Sequence, residues 1–185
     1  MKEETSNENY VANRIDGVLR IEKITKLEAA QRQLRTACRL FFTSADSVSV
    51  HTLAWAVHEI LDKHPESAKS LLIDIANESP ESAKAHAELT EARNFFKHYH
   101  NKPWKTIHFI ENLNEWLLID CGQMYRSVTG TFIKEVAAVN AWVSVQRNIT
   151  LLNNIAVIEH FQKLNLPKTE FLTTFLSLEF RPGFE

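Results

Sequence analysis

The spacing of apolar residues constrains this chain more than any other feature of its sequence. Between Lys26 and Phe42 they recur with a period near 3.6 residues, which is the spacing of one face of an α-helix. Similar stretches follow along the chain, and no segment shows the sustained alternation of apolar and polar residues that a half-buried strand requires. The sequence therefore predicts an all-α fold, a helical bundle of about seven to eight helices.

Residues typical of helix ends divide the chain into segments. The predicted helices are 26–42, 47–63, 65–77, 80–99, 112–128, 131–146, 153–164 and 168–180. For the second, either Ser47 or Ser49 is a candidate cap. The fourth is expected to start at Ser79-Pro80-Glu81, which offers a cap, a proline at the first helical position and an early acid. The fifth is expected to end at Gly130 in a left-handed conformation.

Length and composition limit the class of protein. A chain of 185 residues fits one globular domain, and we expect residues 1–20 to be a disordered or loosely ordered tail before a single helical domain over 21–185. The 21 basic and 23 acidic residues exclude a protein that is basic throughout, so any RNA-binding surface would be local. No secretory signal or membrane-spanning run is evident, and the two cysteines are far apart. We expect a cytoplasmic protein with no membrane partner.

The four glycines exclude a further class. None lies within four residues of another, so the closely spaced glycines of phosphate-cradling loops are missing. A nucleotide-binding fold of the P-loop or dinucleotide type is effectively excluded. We expect neither a cofactor nor a bound metal.

The residues with the clearest chemical potential lie near the end of the fourth predicted helix. Arg93 is followed by Asn94 and by two histidines, His98 and His100. Arginine carries a permanent charge on a planar set of donors that suits phosphate, and histidine exchanges protons near neutral pH. Together they could cleave RNA without a metal. The histidine would assist the ribose 2′-hydroxyl or protonate the leaving oxygen, while the arginine would stabilise charge on the phosphate.

Helix geometry alone does not favour the two histidines equally. In an ideal helix His100 lies about 20° from Arg93 around the axis, whereas His98 lies about 140° away. A helix that ends near His98 would remove this distinction. Both histidines therefore stay candidates on the residues alone.

The neighbouring residues suit a partner that carries phosphates. Between Lys84 and Lys105 there are five basic residues and two acidic ones. Aromatic side chains are interleaved with this charge and could stack on unpaired bases. The residues predicted to bind RNA are Lys97, Tyr99, Lys102 and Trp104.

The Arg93-Asn94…His98 motif on a helix of an all-α chain resembles the HEPN superfamily. Its ribonuclease members carry an arginine, a polar residue and a histidine after a gap of roughly four to six residues. The resemblance implies a HEPN-like core and a metal-independent endoribonuclease that acts as a homodimer, with both motifs facing each other across the interface. It further implies a toxin–antitoxin or phage-defence setting, an RNA substrate and a cognate antitoxin. On this ground His98 ranks before His100.

A wider pattern also resembles a family of uncharacterised bacterial helical proteins. It comprises residues 26–34, 49–54 and 94–98, covers roughly the first two-thirds of the chain and implies no known activity. HEPN ribonucleases commonly place the motif near the last core helix, whereas about 85 residues follow His100 here. We expect these residues to form extra C-terminal helices.

Other interpretations stay open. A non-catalytic helical interaction or regulatory protein, with or without RNA binding, would use the same residues only to shape a surface. A metal-dependent hydrolase would need several of His51, Glu59, His98 and His100 to converge, but no such set lies on one helix. We interpret His51 and His58 as packed histidines, and the set Arg32, Arg35 and Arg39 as a solvated helix face.

Overall fold

The computed structural model describes residues 22–98, 106–152 and 154–178. All regular secondary structure in these ranges is helical, which confirms the predicted all-α bundle. The described helices are α1 (Lys26–Phe42), α2 (Ser47–Asp62), α3 (Leu71–Glu78), α4 (Ser82–Lys97), α5 (Leu113–Thr129), α6 (Lys134–Arg147), α7 (Ile155–Leu164) and α8 (Lys168–Ser177). None of these helices has the length and hydropathy needed to cross a membrane.

Local capping sets the residues at which the first two helices begin. Thr25 and Glu28 form a reciprocal capping box at the start of α1. The cap of α2 is Asp46, whose carboxylate accepts the backbone N–H groups of Val48 and Ser49 at 3.1 Å each. The prediction of a serine cap at Ser47 or Ser49 was therefore wrong, because the carboxylate one residue earlier satisfies two free donors at once.

Several other helix starts differ from the predicted ones: α5, α6 and α7 begin one to three residues late, α6 at Lys134 rather than at residue 131, and α3 and α4 differ for reasons that the structure shows. Helix α3 begins at Leu71 rather than at residue 65, since the Ser70 hydroxyl accepts the Ile73 N–H at 3.2 Å and so caps the helix. Helix α4 begins at Ser82 rather than at Pro80. The Ser79 hydroxyl accepts the N–H of Glu81 at 3.3 Å, which places a turn before the helix instead of a first helical turn.

One hydrophobic cluster receives buried side chains from all eight described helices. Helix α6 is the most deeply placed, with Ala137, Ala138 and Val139 all essentially inaccessible to solvent. Helices α7 and α8 pack against it, so the predicted extra C-terminal helices add to this core. Helix α4 lies at the edge, packs on α2 and α3, and buries only Leu89 and Ala92.

Candidate functional site

The inner face of α4 is an apolar stripe. Leu89 and Ala92 are buried, and Ala85 and Phe96 are partly buried on the same side. Because Arg93 directly follows a buried residue, its side chain runs along the edge of the interface with α2 and is 27% exposed. This placement leaves a cation that is largely covered by protein and about one quarter open to solvent.

The Arg93 guanidinium has contacts on three sides. Its central carbon lies 5.0 Å from the centre of the Trp55 ring, within the range of a cation–π interaction. Its Nη1 lies 3.8 Å from Glu59 Oε1, and its Nε donates a hydrogen bond of 3.3 Å to Asn94 Oδ1. These contacts fix the orientation of the guanidinium before any ligand arrives.

Glu59 links the basic residues of α4 to α2. The Lys97 ammonium lies 2.6 Å from Glu59 Oε1, the same oxygen that faces Arg93. Burial by itself would raise the pKa of Glu59, but the hydrogen bond from Lys97 and the charges of Lys97 and Arg93 outweigh it and lower the pKa. Glu59 is therefore ionised at neutral pH and partly neutralises both cations.

Of the two candidate histidines, the structure describes His98 but not His100. Helix α4 ends at Lys97, and His98 is an exposed C-cap in extended conformation whose N–H donates to Asn94 O at 3.1 Å. The prediction of a helix to residue 99 was wrong, so the ideal-helix angles that favoured His100 do not apply. His100 lies outside the described residues, as do Tyr99, Lys102 and Trp104 among the predicted RNA-binding residues.

Asn94 occupies the outward side of α4. It is exposed and, with Phe95, borders a groove of about 480 Å³ along the helix. The rest of the groove is lined by Lys84, Ala87, Glu88, Thr90 and Glu91. Asn94 thus lies on the outward side of the helix, Arg93 and Lys97 face α2, and the exposed His98 directly follows the helix.

Two histidines are buried behind this surface, as interpreted from the sequence. His51 Nδ1 lies 2.9 Å from Asn114 Oδ1, and His58 Nε2 lies 3.7 Å from Asp120 Oδ2. Burial lowers the pKa of both histidines. Ser70 donates to Asp120 rather than to His58, so these three buried residues are not arranged as a hydrolase triad.

A metal site does not emerge from the part of the chain that the structure describes. No group of three or more histidine, cysteine or acidic side chains is arranged there to hold an ion.

The arginines of α1 are paired rather than simply solvated. Arg35 and Arg39 both contact the buried carboxylate of Glu135, at 3.1 and 2.7 Å, and Arg32 pairs with Glu22.

Sequence reasoning did not connect Arg93 with Trp55 and Glu59. Trp55 and Glu59 are four residues apart on α2 and therefore share a face of that helix. This spacing is the one sequence signal that the two side chains could contact a common partner. The sequence does not show that this face packs on α4.

Acidification is expected to destabilise the fold through the buried histidines. Because their folded-state pKa is lowered, the unfolded chain takes up protons first as the pH falls below about 6.5. Each histidine should remove up to about 1.4 kcal/mol from the free energy of unfolding between pH 7.5 and 5.5. Urea unfolding at the two pH values measures this loss.

His58→Gln should reduce this pH dependence, whereas His160→Gln, at an exposed position, should leave it unchanged. Equal stability of the wild-type chain at both pH values would contradict the prediction.

Comparison with known proteins gave no relative: no protein-family model, no curated protein and no solved structure matches the chain.

Proposed function

We propose that the chain is a metal-independent endoribonuclease of HEPN type, in which Arg93 and His98 act on an RNA phosphodiester at the end of α4. The fixed orientation of the Arg93 guanidinium, between Trp55 and Asn94 and still open to solvent, carries this proposal. A cation that is oriented in advance stabilises charge developing on a phosphate without a reorganisation cost. His98 is exposed directly after the end of the same helix and in this proposal would donate or accept the proton.

The surrounding residues have definable roles in this proposal. The separation of 3.8 Å between Arg93 Nη1 and Glu59 is long for an ion pair, so a phosphate can compete for the guanidinium. Lys97, at 2.6 Å from Glu59, holds that carboxylate in place. Asn94 orients Arg93 through the bond to its Nε. As in the HEPN superfamily, two copies would bring their motifs together, and a cognate antitoxin would cover them.

A non-catalytic helical interaction protein is the second candidate. The observation that favours it is that Arg93 and Lys97 both face Glu59 within the same chain. Partly exposed ion pairs of this kind contribute at most about 1 kcal/mol to the packing of one helix on another. In that case Arg93→Ala would affect only the packing of α4 on α2.

Cleavage of a mixed-sequence single-stranded RNA in EDTA tests the proposal. We expect the wild-type chain to cleave, and Arg93→Ala and His98→Ala each to lower the rate by about 100-fold or more. Lys163→Ala, exposed on α7 and away from this basic segment, is the control and should cleave normally. His100→Ala decides between the two histidines. Absence of cleavage by the wild-type chain at every enzyme concentration would overturn the proposal.

Glu59→Gln separates the two candidate functions. It removes the negative charge that competes with phosphate, so an enzyme should bind a cleavage-resistant 2′-O-methyl RNA more tightly. An interaction protein should instead show reduced stability and no change in RNA affinity. Circular dichroism of each variant establishes that it is folded before RNA is added.

A further inference from the structure

A second polar cleft lies away from α4, where three helices begin. Its volume is about 420 Å³, and its lining includes Phe41, Ser44, Glu111, Asn112, Glu115 and Lys168. The α1–α2 turn forms one side, the start of α5 another, and the first residue of α8 the third. A volume of this size falls within the range of small-molecule sites.

Lys168 is the unusual residue of the cleft. Its ammonium lies 3.4 Å from the centre of the Phe41 ring, and burial lowers its pKa. It is also the first residue of α8, where the positive end of the helix dipole disfavours a cation. Within the described ranges no side chain forms a hydrogen bond or ion pair with this ammonium. The ammonium thus lines the cleft with one side against the Phe41 ring and without a hydrogen-bond acceptor from these residues.

Three carboxylates line the cleft, and that of Asp46 is already engaged as the cap of α2. Glu111 is exposed and accepts a hydrogen bond of 3.1 Å from the Ser47 hydroxyl through one oxygen. Glu115 is 14% exposed and binds Arg147 through one oxygen, with nitrogen–oxygen distances of 2.6 and 3.0 Å. Both glutamates act electrostatically on Lys168, yet neither forms an ion pair with it. The cleft therefore contains a positive charge on Lys168 and negative charges on Glu111 and Glu115 that do not pair directly with it.

The rim of the cleft also contains a strained residue. Ser44 has a φ of 51°, in the left-handed region that glycine and asparagine adopt at lower cost. In the described part of the chain its hydroxyl forms no hydrogen bond, and the Asn112 side chain likewise caps nothing. Both polar groups line the same cleft as Lys168.

We propose that this cleft binds a free α-amino acid as a zwitterion. The ligand carboxylate would accept hydrogen bonds from Lys168 and from the polar groups of Ser44 and Asn112. The ligand ammonium would lie against Glu111. A simple anion would be repelled by the carboxylates and a simple cation by Lys168, so a ligand with both charges matches the cleft best. This site is separate from Arg93 and does not depend on RNA cleavage.

Thermal unfolding of the full chain with each of the twenty amino acids at millimolar concentration tests the proposal. We expect at least one amino acid to raise the Tm. Its N-acetyl and amide derivatives, which lack one of the two charges, should bind at least about tenfold more weakly in titrations followed by NMR. Perturbed backbone amides should include those of Ser44 and Glu111.

Two variants locate the ligand. Lys168→Met keeps an unbranched side chain beside Phe41 but removes the ammonium that lies over its ring, and should abolish the shift. Lys134→Met, at the first position of α6, is the matched control and should bind normally. Glu111→Gln should abolish the preference for the zwitterion over the N-acetyl derivative. No shift with any amino acid, or an unchanged shift in Lys168→Met, would overturn the proposal.

Discussion

Replacing Phe171 by alanine is expected to lower the free energy of unfolding by about 3–5 kcal/mol. Phe171 is 1% exposed, and its ring centre lies 4.4 Å from that of Phe161, 5.2 Å from Trp142 and 5.8 Å from Phe42. These partners belong to α7, α6 and α1, so truncation leaves a cavity where four helices meet. The loss is a large share of the roughly 5–15 kcal/mol that stabilises a typical domain. Urea unfolding followed by circular dichroism measures it.

Two further variants make this prediction specific. Phe171→Leu keeps most of the volume and should lose less than half as much stability as the alanine variant. Thr173→Ala, exposed on the same helix, should change stability by no more than about 0.5 kcal/mol. A loss below about 1 kcal/mol in Phe171→Ala would show that α8 does not contribute to the core as described.

Local signals predicted the helices well. Helix α1 has the predicted bounds, and Gly130 ends α5 with a φ of 64°, as expected. Both features depend on residues close together in sequence, namely a period of 3.6 and a residue that tolerates the left-handed conformation. The end of α4 was less well predicted, because no glycine or asparagine directly follows Lys97 to mark it.

Contacts between distant helices could not be predicted. Glu135 is 1% exposed and binds Arg35 and Arg39 across about 100 residues of sequence. In the sequence it is one of many charged residues, and the arginines fit a solvated face equally well. Only the packing of α1 against α6 gives the buried carboxylate its partners.

The same limit applies to the candidate site. The type and spacing of Arg93 and His98 were visible, and so was the inward face of α4. That Arg93 stacks on Trp55 and faces Glu59 depends on how α4 is rotated against α2. Pattern reasoning gives the face of a helix but not the partner that this face meets.

Asp120→Ala is expected to lower the free energy of unfolding by about 3 kcal/mol. Asp120 is 2% exposed and accepts the Ser70 hydroxyl at 2.6 Å and the Leu71 N–H at 2.8 Å. Truncation leaves the buried Ser70 hydroxyl and the partly buried Leu71 N–H at the start of α3 without this acceptor, and an unsatisfied buried donor costs about 1–3 kcal/mol. Urea unfolding measures the total loss, and amide hydrogen exchange should show it first in α3.

Ser70→Ala completes a double-mutant cycle with this variant. Alone it should cost about 1 kcal/mol, because it removes the cap that the Ile73 N–H uses. If Ser70 and Asp120 act as a unit, the double variant should lose less than the sum of the single losses, by about 1 kcal/mol. Strict additivity would contradict the network. Since α3 packs on α4, faster exchange in α4 of Asp120→Ala would further show that this network supports the helix that carries Arg93.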